Sequence, residues 1–305
     1  MTPAELIAAW TPEQARTFRH APIKFAHALP QTGLFEDAPL AALLDRYPAD
    51  LYDINLFDFD AEGQHTLRTG TRGRIGGGAV LEGLKAGRLW MQMRRATEEV
   101  PAWGEAIARA YAEIAGQLDR PFRPRGVMGQ MLLSAPGAAV PMHADAPYVV
   151  LFHLRGRKRI WIYPDDPAHM PRRSMELIVL KQQTEDLPYR REMDERAVVF
   201  DLEPGMAVSW PLHAPHRVEN LETACLSLTT EFQTWASRIA NGAYCTNGLM
   251  RRAGLPVADI DRTPAAARAL LWAASLGLRR LGLVEDRLKR MERHFDLDEA
   301  IPAKG

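Results

Sequence analysis

Cysteine is nearly missing from this chain: Cys225 and Cys245 are the two in 305 residues. That excludes a disulfide framework and a cysteine-built zinc site. Long apolar runs are missing too. None approaches the ~18 residues of a membrane span, and the opening MTPAELIAAW has no basic stretch followed by an apolar one, so no secretory signal is expected. Neither sign of charge is in excess, since Lys+Arg and Asp+Glu both number 38. A net charge of zero, with no helix-turn-helix pattern, argues against nucleic acid or an anionic membrane as partner. There is no internal repeat or low-complexity tract. The Gly/Arg-rich stretch RTGTRGRIGGG (68–78) lacks the G-K-[ST] of a phosphate-binding loop, and its glycines are not spaced as in a dinucleotide fingerprint. What is present is 47% hydrophobic and 25% charged residues, enough apolar matter for a sizeable core. The expectation is a cytoplasmic protein.

Along the chain the texture changes twice. Thr2-Pro3-Ala4-Glu5 and Thr11-Pro12-Glu13-Gln14 each predict a helix start, with an N-cap threonine and proline at the first helical position. A helix is expected over 38–46, ended by Tyr47-Pro48, then a strand over 51–59 with Asp53 and Asn55 on a polar face. The 68–78 stretch reads as a surface loop, or else as a loop over a site in which Arg68, Arg72 and Arg74 meet an acidic group. A short helix over 79–85, a strand over 88–94 and an amphipathic helix over 103–118 follow. From Pro121 short β segments dominate: 126–134, 147–154, 159–163, 197–201, 206–210 and 224–232. Strands of this length between Pro/Gly turns suggest a sandwich or barrel. Beyond Thr234 the chain returns to helix, with leucines from Leu270 to Leu288 and Met291 in a run through Arg293. Three segments are expected: 1–120, helices and accessory strands packed on the core; 121–235, the β core; and 236–305, a helical extension whose apolar face packs on its own core or forms a homodimer.

The stretch VPMHADAPYVVLFHLRGRKRIWIYP (140–164) carries the candidate chemistry. Residues two apart on a strand point the same way, so His143 and Asp145 can offer a nitrogen and an oxygen to one point. One later histidine, His213 or His216, completes a two-histidine, one-carboxylate set with open positions, which suits non-haem Fe(II). Taken singly, His143 also reads as a loop histidine, Asp145 as a turn former before Pro147, and Lys158 as a solvated lysine among Arg155, Arg157 and Arg159.

In combination these residues resemble the cupin-like, JmjC-type Fe(II)/2-oxoglutarate-dependent oxygenases. The resemblance lies in His143-Ala144-Asp145, the apolar 148–154, Gly156-Arg157-Lys158-Arg159, and Trp161-Ile162-Tyr163-Pro164. It continues in Pro204-Gly205, Pro211 and His216-Arg217-Val218-Glu219-Asn220, and covers about residues 125 to 232. Met206 departs from it, standing where an acidic residue is common.

The resemblance implies a double-stranded β-helix (jelly roll, cupin-like) with N-terminal α/β elements. It also implies Fe(II) held by His143, Asp145 and His216, and 2-oxoglutarate whose far carboxylate meets Lys158. The resemblance implies His216 rather than His213, because the family's motif places the ligand eleven residues after the glycine that Gly205 matches. Gln130, Ser134, Ser227 and Thr229 are candidates for the co-substrate's other contacts. His213, Asn220, Tyr148, Arg72 and Arg74 are candidates for lining or substrate contact. His20, His27, His65, His153, His169 and His294 read as surface or interface histidines, although His153 shares strand parity with the ligands. The activity implied is oxidative decarboxylation of 2-oxoglutarate with O2, coupled to C–H oxidation of a protein or small-molecule substrate. The alternatives are a non-catalytic cupin-like metal- and ligand-binding regulator, or a cupin with other metal chemistry.

Overall fold

The computed structural model describes residues 5–59, 65–86, 89–257, 259–284 and 293–297. The first part of the chain forms α1 (Pro12–Thr17), β1 (Ile23–Ala26), α2 (Asp37–Arg46), β2 (Tyr52–Phe59), β3 (His65–Thr71), α3 (Gly77–Ala86), β4 (Leu89–Met93), α4 (Ala96–Glu99) and α5 (Pro101–Gly116). The middle forms β5 (Arg125–Ser134), β6 (Ala139–His143), β7 (Tyr148–Arg155), β8 (Lys158–Ile162), α6 (Arg172–Val179), β9 (Val198–Leu202), β10 (Met206–Ser209), β11 (His216–Asn220) and β12 (Cys225–Gln233). Then come α7 (Trp235–Arg252), α8 (Ala265–Arg280) and the short β13 (Phe295–Asp296). No helix among the described residues is long and apolar enough to cross a membrane.

Two sheets result, a nine-stranded one ordered β1-β10-β7-β12-β5-β4-β2-β3-β13 and a four-stranded one ordered β6-β11-β8-β9. Strands β5 to β12 divide four and four between them, β5-β12-β7-β10 against β6-β11-β8-β9, with antiparallel neighbours throughout. That is the eight-stranded, double-sheet jelly roll. The mainly β core expected from the sequence is therefore present, with α/β additions before it and helices after it.

Strand β7 shows why the layers stack as they do. It is apolar at nearly every position because both of its faces are covered. Val149 and Leu151 pack between the sheets with Ile160, Ile162, Val208 and Val218. Tyr148, Val150, Phe152 and Leu154 face the other way, into a larger core closed by Leu40, Leu44, Trp103 and Ile107 of the helices. A third cluster packs Met142, Ala144 and Tyr163 against Met175 and Ile178 of α6 and Ala243 and Tyr244 of α7. Between β7 and β8, Gly156 turns the chain from one sheet to the other at φ 83°. A Cβ there would lie 2.4 Å from the Ala224 carbonyl oxygen and 2.8 Å from Cys225 Sγ, so only glycine fits.

Several expectations need correction. Residues 5–10 are not helical, and Ile7 bridges His27 instead; Thr2 to Ala4 lie outside the described residues. The Thr11 start is as expected, a capping box with Gln14. The strand with a polar face is present as β2, and that face is buried: Asp53 and Asn55 are 7% and 0% exposed, bonded to Arg94 and to Thr69 respectively. The 68–78 stretch is not one loop, since β3 occupies its start and α3 its end. The C-terminal helical run stops at Arg280, where Gly282 turns at φ 71°. Leu288 and Met291 lie outside the described residues. Phe295–Asp296 then returns to the large sheet as β13, parallel to β3, with Phe295 opposite Gly70.

Candidate metal centre

His143 ends β6 and His216 begins β11, and the two are direct partners across the antiparallel ladder. Their rings therefore lie side by side, 4.1 Å between centroids and tilted by 51°. Asp145 lies two residues beyond His143, past the end of the strand, and its Oδ2 is 3.4 Å from His216 Nε2. The three side chains place one ligand atom each within 4.8 Å of one another, and no other His, Cys, Asp or Glu among the described residues joins them. Each histidine is oriented by its own backbone. His143 Nδ1 is 2.8 Å from the Pro141 oxygen, and His216 Nδ1 is 3.1 Å from the Ala214 oxygen. A carbonyl only accepts, so both Nδ1 atoms carry a proton, and in the neutral ring Nε2 is then the atom that presents the lone pair a metal requires.

The electrostatics fit the same role. Burial raises the Asp145 carboxyl above the usual range. Burial and then the neighbouring His143 hold His216 well below its ordinary value. A buried carboxylate beside two imidazole nitrogens is suited by a divalent cation, and no lysine or arginine among the described residues pairs with Asp145. Two further carboxyl groups surround Asp145. Glu185 is pushed up to about 8 and Glu231 to about 7, each by burial first and the Asp145 charge second. The backbone of 185–187 is laid along β6, with Ala144 N–H donating to the Glu185 oxygen and Leu187 N–H to the Met142 oxygen.

On the same face of the small sheet, four residues along β11 from His216, Asn220 pairs with Lys158. Four residues of strand correspond to about 13 Å. Lys158 is 4% exposed, and burial lowers its pKa. Its Nζ donates to Ser227 Oγ at 3.1 Å. Ser227 Oγ lies 3.0 Å from His153 Nδ1, and His153 Nε2 lies 2.9 Å from the Gly156 oxygen. Protons can run only one way along this chain: Lys158 to Ser227, Ser227 to His153 Nδ1, and His153 Nε2–H to Gly156. Lys158 thus has two of its three protons uncommitted and forms no ion pair with a described residue. A buried ammonium without a counter-ion is costly and is suited by an anionic ligand.

The other expected site residues fall into two groups. Thr229 Oγ1 is buried with no hydrogen-bond partner, on the strand that also carries Ser227 and Glu231. Gln130 bonds Gln92 and donates to Glu231 at 2.7 Å. Ser134 and Asn220 bond one another at 2.7 Å, strapping β11 to β5. Tyr148, Arg72 and Arg74 are not brought to the triad. Tyr148 faces the helices and stacks on Phe232. Arg72 and Arg74 lie in the turn between β3 and α3, where Arg72 bonds the Asp45 and Ile75 oxygens. His213 is 6% exposed and hydrogen-bonds Asn241 at 2.7 Å rather than joining the triad. Sequence reasoning grouped His153 with the surface histidines, although its strand parity pointed inward. It missed Glu185, Glu231 and Asn241, for which no motif gives a signal.

The fold and site define a class of structure: a jelly roll with a two-histidine, one-carboxylate group and, on one inner face with it, a buried lysine that has no counter-ion among the described residues. Solved structures share its fold over nearly the whole chain. The X-ray structure of E. coli ycfD covers 93% of this chain and 69% of its own, with a TM-score of 0.51 and 18% identity. The structure of YcfD, a ribosomal oxygenase from Escherichia coli, in complex with cobalt and 2-oxoglutarate covers 93% and 68%, with a TM-score of 0.50 and 17% identity. No family model and no curated protein matches the chain.

Proposed function

We propose that the protein is an Fe(II)- and 2-oxoglutarate-dependent oxygenase, a hydroxylase acting on a protein or small-molecule substrate. The observation that carries this reading is the pairing, on one face, of an open three-ligand group with a buried lysine that has no counter-ion among the described residues. A metal alone explains His143, Asp145 and His216; a ligand with a remote carboxylate explains Lys158 as well. That a protein of the same fold holds cobalt and 2-oxoglutarate supports the assignment.

In this reading His143, Asp145 and His216 hold Fe(II), and the metal with 2-oxoglutarate supplies the oxidising chemistry from O2. The chain's own work is to bind, orient and shield. Lys158, fixed by Ser227 and His153, anchors the far carboxylate of the co-substrate, and Val149, Leu151 and Ile160 between the sheets keep water from the inner space. The two Nδ1–carbonyl bonds hold both ligand rings in one tautomer, so that no proton has to leave them when the metal binds.

Anaerobic addition of Fe(II) and 2-oxoglutarate should produce a weak visible charge-transfer band, and exposure to air should release succinate. His143→Ala and Asp145→Ala should each abolish both signals. Retention of the band in either variant refutes the ligand assignment. A band without succinate under any condition would make the protein a non-catalytic binding module.

A further inference from the structure

Of the three ligands, Asp145 is the one that no sheet holds. His143 and His216 belong to the β6–β11 ladder, whereas β6 ends at His143 and Asp145 sits in the segment that follows. Its neighbour Ala146 is nevertheless gripped from outside the jelly roll: Asn241, in the second turn of α7, donates its Nδ2–H to the Ala146 oxygen at 2.8 Å. The other end of the same amide, Oδ1, is 2.7 Å from His213 Nε2, in the loop that delivers His216 three residues later. The donor pattern is unambiguous. The Ala146 carbonyl can only accept, so Asn241 must turn its NH2 to it and its oxygen to His213, which donates from Nε2. Tyr244, one turn further along α7, sets its ring edge-on to His213 at 5.5 Å and is itself held by Asp261.

The backbone of His213 is strained where it makes this contact. It lies at φ 64°, the left-handed region, which a residue with a Cβ enters at a cost. A loop residue kept there, buried and with its ring nitrogen committed, is held for a purpose that packing alone does not require.

We infer that His213 and Asn241 are positioning residues that lock the two ligand-bearing segments to each other through α7, and that Asn241 sets where the Asp145 carboxylate stands relative to the two histidines. The inference rests on the metal-site reading. Neither residue touches the metal position; both act through Ala146 and the 213–216 loop. Outer partners of metal ligands typically change affinity 10- to 100-fold when removed, and that is the effect expected here.

The test uses Co(II) as probe, with binding followed anaerobically by calorimetry and by the visible spectrum of the ion. Asn241→Ala should weaken Co(II) binding about 10- to 100-fold and alter the spectrum towards that of Asp145→Ala, while the metal-free protein keeps its thermal midpoint within a few degrees. His213→Gly is the second variant, because glycine accepts the left-handed backbone and removes only the ring; it should weaken binding in the same way. His213→Gln, whose amide can still donate to Asn241, should recover part of the affinity. Wild-type affinity and spectrum in both Asn241→Ala and His213→Gly overturn the inference while leaving the metal site standing. A wild-type protein that binds no Co(II) overturns the metal site as well.

Discussion

Lys158 shows how far one residue departs from what stability alone would select. Its ammonium is buried, bonded once, and faces no carboxylate among the described residues. Replacing such an ion by an apolar side chain of similar length is commonly neutral or stabilising, by about 1 to 4 kcal/mol. Lys158→Met should therefore raise the urea midpoint of the ligand-free protein with an unchanged denaturant slope, and abolish measurable 2-oxoglutarate binding. A lowered midpoint would show that the lysine is paired in a way the structure does not reveal. The Gly-x-Lys-Arg turn made this residue legible in the sequence. Its supports were less so. His153 and Ser227 meet because β7 and β12 pair in the register that runs from this pair to Tyr148 and Phe232, and the register of two strands so far apart in the chain leaves no trace in composition or periodicity.

At the scale of elements, the long apolar strands were readable and the ligand-bearing ones were not. Strand β7 announces itself by the apolar run from Tyr148 to Phe152, whereas β6 (AVPMH) is short and broken by a proline and β11 (HRVEN) is short and mostly polar. They are strands because β6 pairs with β11 and β11 with β8, a tertiary fact. Helix α6 also escaped notice, because its two leading arginines hide the apolar Met175 and Ile178 that dock it. The turn into β8 offers a direct check. Gly156→Ala forces a Cβ into the Ala224 carbonyl at a left-handed φ, and should cost at least about 2 kcal/mol of stability. Because the same turn supplies the oxygen that holds His153, 2-oxoglutarate affinity should fall with it. An alanine variant with wild-type midpoint and affinity contradicts this account of the turn.

Across the rest of the molecule, three histidines outside the triad are buried with lowered pKa. Burial lowers His27 to about 4, His153 to about 3 and His213 to about 4. Unfolding returns each to the ordinary value near 6.5. Between the folded and unfolded values the unfolded chain binds more protons, so this contribution is complete above pH 6.5 and is lost as pH falls towards 4. Glu185 and Glu231, raised in the folded state, act in the opposite sense: they favour the folded protein at low pH and lose that contribution as pH rises through about 7 to 8. The wild-type profile is thus a difference of the two, and a variant isolates one side. His27→Gln should reduce the stability lost between pH 6.5 and pH 5 by on the order of 2 kcal/mol, measured as urea midpoints at both values. An unchanged loss would mean that His27 is not neutral in the folded protein.

The layered plan of the molecule was legible from strand spacing and the paired motifs; the return of its tail to the sheet was not, since two residues carry no pattern. Gly70 has no side chain because the Phe295 carbonyl lies 2.2 Å from where its Cβ would be, and Leu297 beyond it is 1% exposed. The partners stand more than two hundred residues apart in the chain. During synthesis, β3 must therefore wait with one margin unsatisfied until residue 297 has left the ribosome. Throughout that interval it is an open template for strands of other nascent chains.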